Sequence, residues 1–270
     1  MFPLTGKTFP TNGDELAAAI EGALAEVLKL KEAHPAVTVV GREFPAIKQL
    51  LISLDGACIE FDAPPLKPTP VEKRLPGITV EHLCVSGHPI QYEKSKLDLD
   101  LTARGVAVDF AKDKSGRPLL VLKDAEQGHV EAKMSKSDLQ SSLLAAATAA
   151  AKTQGVAIQD LQMDLTSEGD RSLAADVKVK AKKLMMSGTV HITGKVDLDD
   201  DLNATLSGLT CTGEGMIGGM AAAFLQSTLK KYNGKKFPLM AFSLGDATLR
   251  DLQIRTKPAI QVSASFGRKS

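Results

Sequence analysis

Alternation of apolar and polar residues predicts that much of this chain folds as β-strand. Between residues 97 and 103 the apolar side chains occupy every second position, and Val106, Val108 and Phe110 continue the alternation. Residues 113–116 predict a hairpin turn, and short turns cannot connect parallel strands, so the sheet is expected to be antiparallel. The predicted strands cover residues 37–40, 57–61, 97–103, 106–110, 119–122, 129–134, 156–166, 172–181, 187–198, 202–212, 246–256 and 259–266.

Apolar residues spaced three and four apart predict three helices, each with one buried face, at residues 14–31, 139–154 and 216–232. Asn12 or Asp14 would cap the first helix, and Pro35 would end it. Its several acidic residues favour a packed helix over a membrane anchor, because they would meet an anionic surface badly. Residues 44–51 are interpreted as a short helix or turn. Helices separated by groups of strands indicate the α+β class, with a long antiparallel sheet.

The segment 62–76 is rich in proline, with five prolines at positions 64, 65, 68, 70 and 76. This composition predicts an extended connection. A linker between two domains is the alternative, but neither side shows a complete core of its own. The segment is therefore interpreted as a crossing within a single domain that spans residues 1–270.

Composition and charge exclude several classes of function. The net charge is +1 and the chain has nine Phe, two Tyr and no Trp, so neither a global positive field nor an aromatic stacking platform indicates a nucleic-acid partner. No apolar run is long enough to span a membrane and no signal peptide is evident, which predicts a soluble, cytoplasmic protein or one peripheral at a membrane. Cys58, Cys84 and Cys211 are far apart, so we expect three reduced thiols and neither a disulfide framework nor a zinc site.

No motif in the sequence demands a reaction. Residues 213–218 match GxGxxG, but the meandering strands lack the parallel context of a dinucleotide site. Gly215, Gly218 and Gly219 are better interpreted as allowing a helix to lie close to a sheet. The acidic residues at 197–203 lack the Gly and Glu of a calcium loop and predict a polar hairpin turn. The histidines show no metal-binding spacing, and no GxSxG nucleophile elbow occurs. We therefore expect no enzyme activity, cofactor or metal.

Two features point to lipid instead. The third predicted helix carries a wide apolar stripe rich in adaptable side chains, and neighbouring strands add further methionines. A lipid-lined groove and a plain core use the same residue types, so the spacing leaves both open. The candidate lipid-binding residues are Met163, Met185, Met186, Met216, Ile217, Met220, Phe224 and Leu225.

Two basic clusters form the second feature. They are residues Lys178, Lys180, Lys182 and Lys183, and residues Lys230, Lys231, Lys235 and Lys236. On a nearly neutral protein such clusters form either a solvated rim or a docking site for anionic headgroups, and the latter gains about 1 kcal/mol per charge near the surface. The candidate membrane-docking residues are Lys230, Lys231, Lys235 and Lys236.

The order of these elements resembles the bacterial LmeA-like phospholipid-binding family, which is similar to the tubular lipid-binding (TULIP, BPI-like) proteins. The resemblance covers about residues 14–266 and rests on the first helix, Phe44-Pro45, Leu50-Leu51, Ser137-Asp138-Leu139, the Met- and Phe-bearing third helix, and the turn Phe237-Pro238-Leu239. It implies a curved antiparallel sheet wrapped around helices, a groove for acyl chains, and no catalytic residues. Many members carry an N-terminal export or anchor segment; we expect a cytoplasmic location without such a segment, and a periplasmic one if it has been removed.

The leading hypothesis is therefore a non-enzymatic protein that binds phospholipid or fatty-acid chains in an elongated apolar groove between the third helix and the sheet, as a lipid carrier or at a membrane. The main alternative is an interaction protein with a closed core and no ligand. A nucleotide-binding enzyme using residues 213–218 is a distant third.

Overall fold

The computed structural model describes residues 1–31, 35–41, 43–59, 73–92, 95–152, 155–183, 186–199, 203–238 and 248–268. The chain divides into two compact units. Unit one comprises Met1–Lys133, Ser243–Asp251 and Ser263–Ser270, and unit two comprises Met134–Phe242 and Leu252–Val262. The single domain expected over residues 1–270 stays a prediction.

The first part of the chain holds nine strands and one helix among its described residues. They are β1 (Phe2–Pro3), α1 (Gly13–Ala25), β2 (Leu28–Lys29), β3 (Val37–Val40), β4 (Ala46–Ser53), β5 (Cys58–Ile59), β6 (Arg74–Tyr92), β7 (Ser95–Lys112), β8 (Pro118–Asp124) and β9 (Gln127–Met134).

The second part holds the two remaining helices described. Its elements are α2 (Lys136–Lys152), β10 (Ala157–Ser167), β11 (Ser172–Lys183), β12 (Met186–Leu198), β13 (Asn203–Glu214), α3 (Gly215–Tyr232), β14 (Lys236–Pro238), β15 (Thr248–Arg255) and β16 (Ile260–Gly267). Residues of β15 and β16 are divided between the two units.

The sheet of unit one is built around the long strands β6 and β7. These two strands pair antiparallel, and the strand order runs β16-β9-β7-β6-β4-β3. Strand β4 pairs parallel with β6, with Ile47 opposite Val80. The segment 44–51 is therefore mostly strand, and its interpretation as a helix or turn was wrong. Ile47 and Leu50 are three residues apart, which taken by itself is the spacing of a helix. The segment is a strand because it pairs with the neighbouring strands β3 and β6.

Helix α1 covers the core of unit one. Asn12 caps it, since its side-chain oxygen accepts a hydrogen bond of 2.9 Å from the backbone N–H of Glu15. Leu16 and Ile20 are buried against a cluster that includes Ile78 from β6. The helix ends at Ala25, earlier than predicted, because the chain continues into β2 and pairs with β5.

Unit two contains a five-stranded sheet in the order β10-β11-β12-β13-β14, with every pair antiparallel. The register places Met163, Val177, Ile192 and Cys211 in one row across the sheet, on one face. Helix α3 packs on β12 and β13, and α2 packs on β10. The unit is thus a sheet with an apolar face covered by helices.

The antiparallel-rich α+β class is confirmed, and the predicted strands and helices from residue 97 onward lie within a few residues of those observed. Helix α2 begins at Lys136, and the Ser135 hydroxyl accepts a hydrogen bond of 3.0 Å from the N–H of Asp138, so the helix opens before the predicted residues. Of the proline-rich segment 62–76, only residues 73–76 are described, and Arg74 already begins β6.

Candidate functional site

Glycines bring α3 into backbone contact with the sheet. A Cβ atom added at Gly213 would overlap the carbonyl of Gly218. A Cβ atom added at Gly218 would overlap the carbonyl of Thr189 and lie 3.0 Å from the backbone nitrogen of Thr189. A Cβ atom at Gly188 would lie 2.8 Å from the Glu214 carbonyl oxygen. The first turns of α3 therefore lie so close to β12 and β13 that no alkyl chain fits between them.

This contact explains the GxGxxG match. In a dinucleotide site the glycines leave room for a pyrophosphate at a helix N-terminus. Here the space beside Gly213 and Gly218 is filled by backbone of the same unit, and β13 is antiparallel to both of its neighbours. The interpretation that Gly215, Gly218 and Gly219 let a helix lie close to a sheet is confirmed for Gly218 and for Gly215, where an added Cβ atom would lie 2.8 Å from the Ser187 carbonyl oxygen. It is wrong for Gly219, because a Cβ atom there would meet nothing within 4 Å.

The inner face of α3 is a small apolar core. Ala222 is buried with Val190 and Cys211, and Leu225 and Leu229 pack against that cluster. The backbone N–H of Cys211 donates a hydrogen bond of 3.0 Å to the side-chain oxygen of Gln226, which ties the helix to β13. Burial raises the pKa of the Cys211 thiol.

The outer face of α3 is apolar and open. Met216, Met220 and Phe224 follow one another at intervals of one helical turn, and 67%, 69% and 74% of their surfaces are exposed. We call these three residues the outer row. Three large apolar side chains in one exposed line are unusual, because scattered exposed hydrophobes need no explanation but contiguous ones mark a contact surface.

The C-terminal end of α3 carries positive charge. Lys230 and Lys231 are exposed in the last turn of α3, and the helix has no acidic residue. The ammonium of Lys235 lies 5.4 Å from the centre of the Tyr232 ring, a cation–π contact. Lys236 is partly neutralised by an ion pair of 3.3 Å with Asp199. All four predicted docking lysines are exposed, and Lys230 and Lys231 are the two that belong to α3 itself.

The structure does not gather the predicted lipid-binding residues around one groove. Met163 is buried in β10, and Leu225 packs against the core between α3 and the sheet. Ile217 is half-buried, whereas the outer row is exposed. Met186 is 39% exposed at the start of β12, and Met185 lies outside the described residues. In the other basic cluster, Lys178, Lys180 and Lys182 alternate along β11 with the residues that face the buried side of the sheet. These three lysines therefore occupy the sheet face opposite α3.

The sequence contained a signal for the packed side of α3, which can be interpreted only once the pairing of β12 with β13 is known. Gly218 and Ala222 are small residues one turn apart, and glycines occur inside both strands that they face. Such small residues mark the side of a helix that approaches a neighbour closely. The larger side chains of the outer row must then lie on the other side.

Among the described residues, none of the helices has the length and apolar content needed to cross a bilayer. In the same part of the chain, no group of three or more His, Cys, Asp or Glu side chains has a geometry that could hold a metal ion. A comparison of the chain with protein-family models, curated proteins and solved structures finds no match in any of the three.

Proposed function

We propose that the protein binds lipid without catalysing a reaction, and that it docks on anionic phospholipid surfaces through the outer face of α3. The observation that carries the proposal is the outer row, three large apolar side chains exposed in one line on a helix that has no acidic residue. Lys230 and Lys231 add positive charge at the end of the same helix.

The outer row supplies a useful amount of binding free energy. Full burial of a Met or Phe side chain is worth about 1.5–3 kcal/mol, so at these exposures each side chain gains about 1–2 kcal/mol on entering the acyl boundary. Each lysine near an anionic surface adds about 1 kcal/mol. The sum of roughly 5–8 kcal/mol is comparable to the marginal, reversible binding that a single myristoyl chain provides.

Charge favours a lipid surface over a second copy of the chain. Another copy of α3 has no acidic residue within the helix to complement Lys230 and Lys231, and only its N-cap, Glu214, is acidic. Methionine is flexible and polarizable, and it suits an irregular surface better than a fixed interface. An amphipathic helix that lies in the plane of the headgroups has the same combination of apolar and basic residues.

The resemblance to the LmeA-like and TULIP-like proteins supports a lipid partner in general terms. The finer expectation, a sheet wrapped around helices with acyl chains in a groove, stays a proposal. Because α3 lies in backbone contact with β12 and β13, the proposed lipid contact is at the outer face of the helix instead of beneath it. A role in lipid transport would require the protein to carry lipid away from the bilayer.

Sedimentation with vesicles tests the proposal. We expect the protein to bind vesicles of phosphatidylglycerol and phosphatidylcholine, and to bind pure phosphatidylcholine less well. The variant Met216→Ser/Met220→Ser/Phe224→Ser should bind at least tenfold more weakly. A matched control, Val40→Ser/Leu51→Ser, removes exposed apolar side chains elsewhere and should bind as the wild type does.

Two results would contradict this function. One is the absence of vesicle binding by the wild-type protein at low salt. The other is equal binding by the wild-type protein and the outer-row variant, which would show that the outer face of α3 is not the docking surface. Absence of binding would leave the alternative of an interaction protein with a closed core and no lipid ligand. Lys230→Gln/Lys231→Gln should lower the affinity for anionic vesicles, and added salt should reduce that difference, because exposed charges are screened within about 10 Å at 0.1 M.

A further inference from the structure

Unit one has a basic cleft of about 650 Å³ that lies apart from α3 in the chain. Its apolar lining comes from Phe9, Leu75 and Ala111, and three lysines also line it, Lys73, Lys112 and Lys114. We call it the lysine cleft. None of these three lysines forms an ion pair with a residue that the structure describes.

The pairing of β6 with β7 assembles the lysine cleft from distant parts of the sequence. Arg74 lies opposite Ala111, and Leu75 lies opposite Phe110. The start of β6 therefore meets the end of β7, and Lys73 comes beside Lys112 even though a whole hairpin separates them. No spacing within the sequence could reveal this cluster.

A rigid aromatic wall holds one of the ammonium groups in place. The Lys112 ammonium lies 5.5 Å from the centre of the Phe9 ring, within the range of a cation–π contact. The Phe9 ring in turn stacks on Phe110 with 5.0 Å between the ring centres. Since Phe110 belongs to the buried core of unit one, the wall and the charge on it are positioned before any ligand arrives.

The one acidic side chain in the lysine cleft is occupied by the turn that follows β7. The Asp113 carboxylate accepts hydrogen bonds from the Ser115 N–H at 2.8 Å, the Ser115 hydroxyl at 2.6 Å and the Arg117 N–H at 2.9 Å. These bonds hold the pKa of Asp113 below its usual range. Asp113 thus shapes the turn and stays ionised, and the three lysines still exceed its single negative charge.

We propose that the lysine cleft binds a phosphate monoester whose organic part is apolar. A phosphate monoester carries a charge of about −1.5 to −2 at pH 7, which matches the formal charge of +2 that three lysines and the ionised Asp113 leave in the cleft. Lysines bind phosphate as point charges and need no fixed bidentate geometry. The walls formed by Phe9 and Leu75 would contact the apolar part of the ligand. This inference does not depend on the docking of α3.

Calorimetric titration with two probes tests the lysine cleft. The probes are inorganic phosphate and dihexanoyl phosphatidic acid, a short-chain lipid kept below its micelle concentration. The protein carries the three serine substitutions of the outer row, so that α3 cannot account for binding. We expect saturable binding with one site, and at least tenfold weaker binding by Lys73→Gln/Lys112→Gln/Lys114→Gln.

A control variant with the same change in charge isolates the cleft. Lys178→Gln/Lys180→Gln/Lys182→Gln removes three exposed lysines from the sheet of unit two and should bind both probes as the parent does. Tighter binding of the lipid than of inorganic phosphate supports the proposal, because only the lipid has an apolar part for the walls to contact. Equal binding of the two probes would identify a site for free phosphate and would overturn the assignment of an apolar ligand. Absence of saturable binding by the parent would overturn the proposal, as would an equal loss in the two lysine variants.

Discussion

The close packing of α3 on the sheet at Gly218 predicts that a Gly→Ala substitution has opposite effects at two adjacent positions. Gly218 and Gly219 both lie in the first turns of α3. A Cβ atom at Gly218 would press into the backbone of Thr189, whereas a Cβ atom at Gly219 would meet nothing within 4 Å. Gly218→Ala should therefore destabilise unit two and Gly219→Ala should stabilise it.

The magnitudes follow from two contributions. Replacing Gly by Ala inside a helix stabilises it by about 0.8–1.0 kcal/mol, and this gain is common to both variants. Overpacking costs about 1–3 kcal/mol and applies to Gly218 alone. The cost should lie toward the upper end of that range, because the atoms in contact belong to the backbone and cannot rotate away. The two variants should thus differ by about 2–3 kcal/mol in the free energy of unfolding.

Urea denaturation followed by tyrosine fluorescence measures this difference. The chain has two tyrosines, so the background substitution Tyr92→Phe leaves Tyr232, at the end of α3, as the reporter of unit two. Equal shifts of the midpoint in the same direction for Gly218→Ala and Gly219→Ala would refute the backbone contact between helix and sheet. Gly213→Ala, whose Cβ atom would overlap Gly218 from the strand side, should repeat the loss seen for Gly218→Ala.

Three further predictions concern single side chains. Phe224→Ala should change the free energy of unfolding by less than about 1 kcal/mol, because a fully packed Phe would cost about 3–5 kcal/mol; the full penalty in urea denaturation would place Phe224 in the core. A hydrogen bond to Asp100 raises the pKa of His88 above 6.5. The wild-type protein should therefore be more stable than His88→Gln below pH 6.5 and should lose that advantage as the pH rises. A pH-independent difference between the two in denaturation would contradict this prediction. Cys211 should react with a thiol reagent more slowly than the other two cysteines in the folded protein, and all three should react once unfolded; fewer than three labels would reveal a disulfide.

The second half of the fold could be predicted from alternation, whereas much of the first half could not. Strands such as β12 carry regular alternation along their whole length. Strand β6 was not predicted, because prolines and glycines interrupt it at positions 76, 77, 87 and 89. The structure places register shifts against β7 at those same points, between Pro76 and Ile78 and between Gly87 and Ile90. Residues typical of breaks thus occur inside one long strand, where bulges accommodate them.

The candidate site was predicted in its extent but not in its orientation. The boundaries of α3 agree with the prediction to within one residue. Its apolar residues spread around most of the helix, so their periodicity does not say which side packs on the sheet. Gly188 and Gly213 settle the question from neighbouring strands, and that information becomes available only when the pairing of β12 with β13 is known.

The most direct test of lipid docking places a fluorophore in the outer row. The chain has no tryptophan, so Phe224→Trp gives a single reporter at a position that is 74% exposed. On addition of vesicles containing phosphatidylglycerol, the emission of Trp at position 224 should shift to shorter wavelength, and brominated acyl chains should quench it. Vesicle binding without a blue shift or quenching would show that α3 does not enter the bilayer surface and would contradict the account.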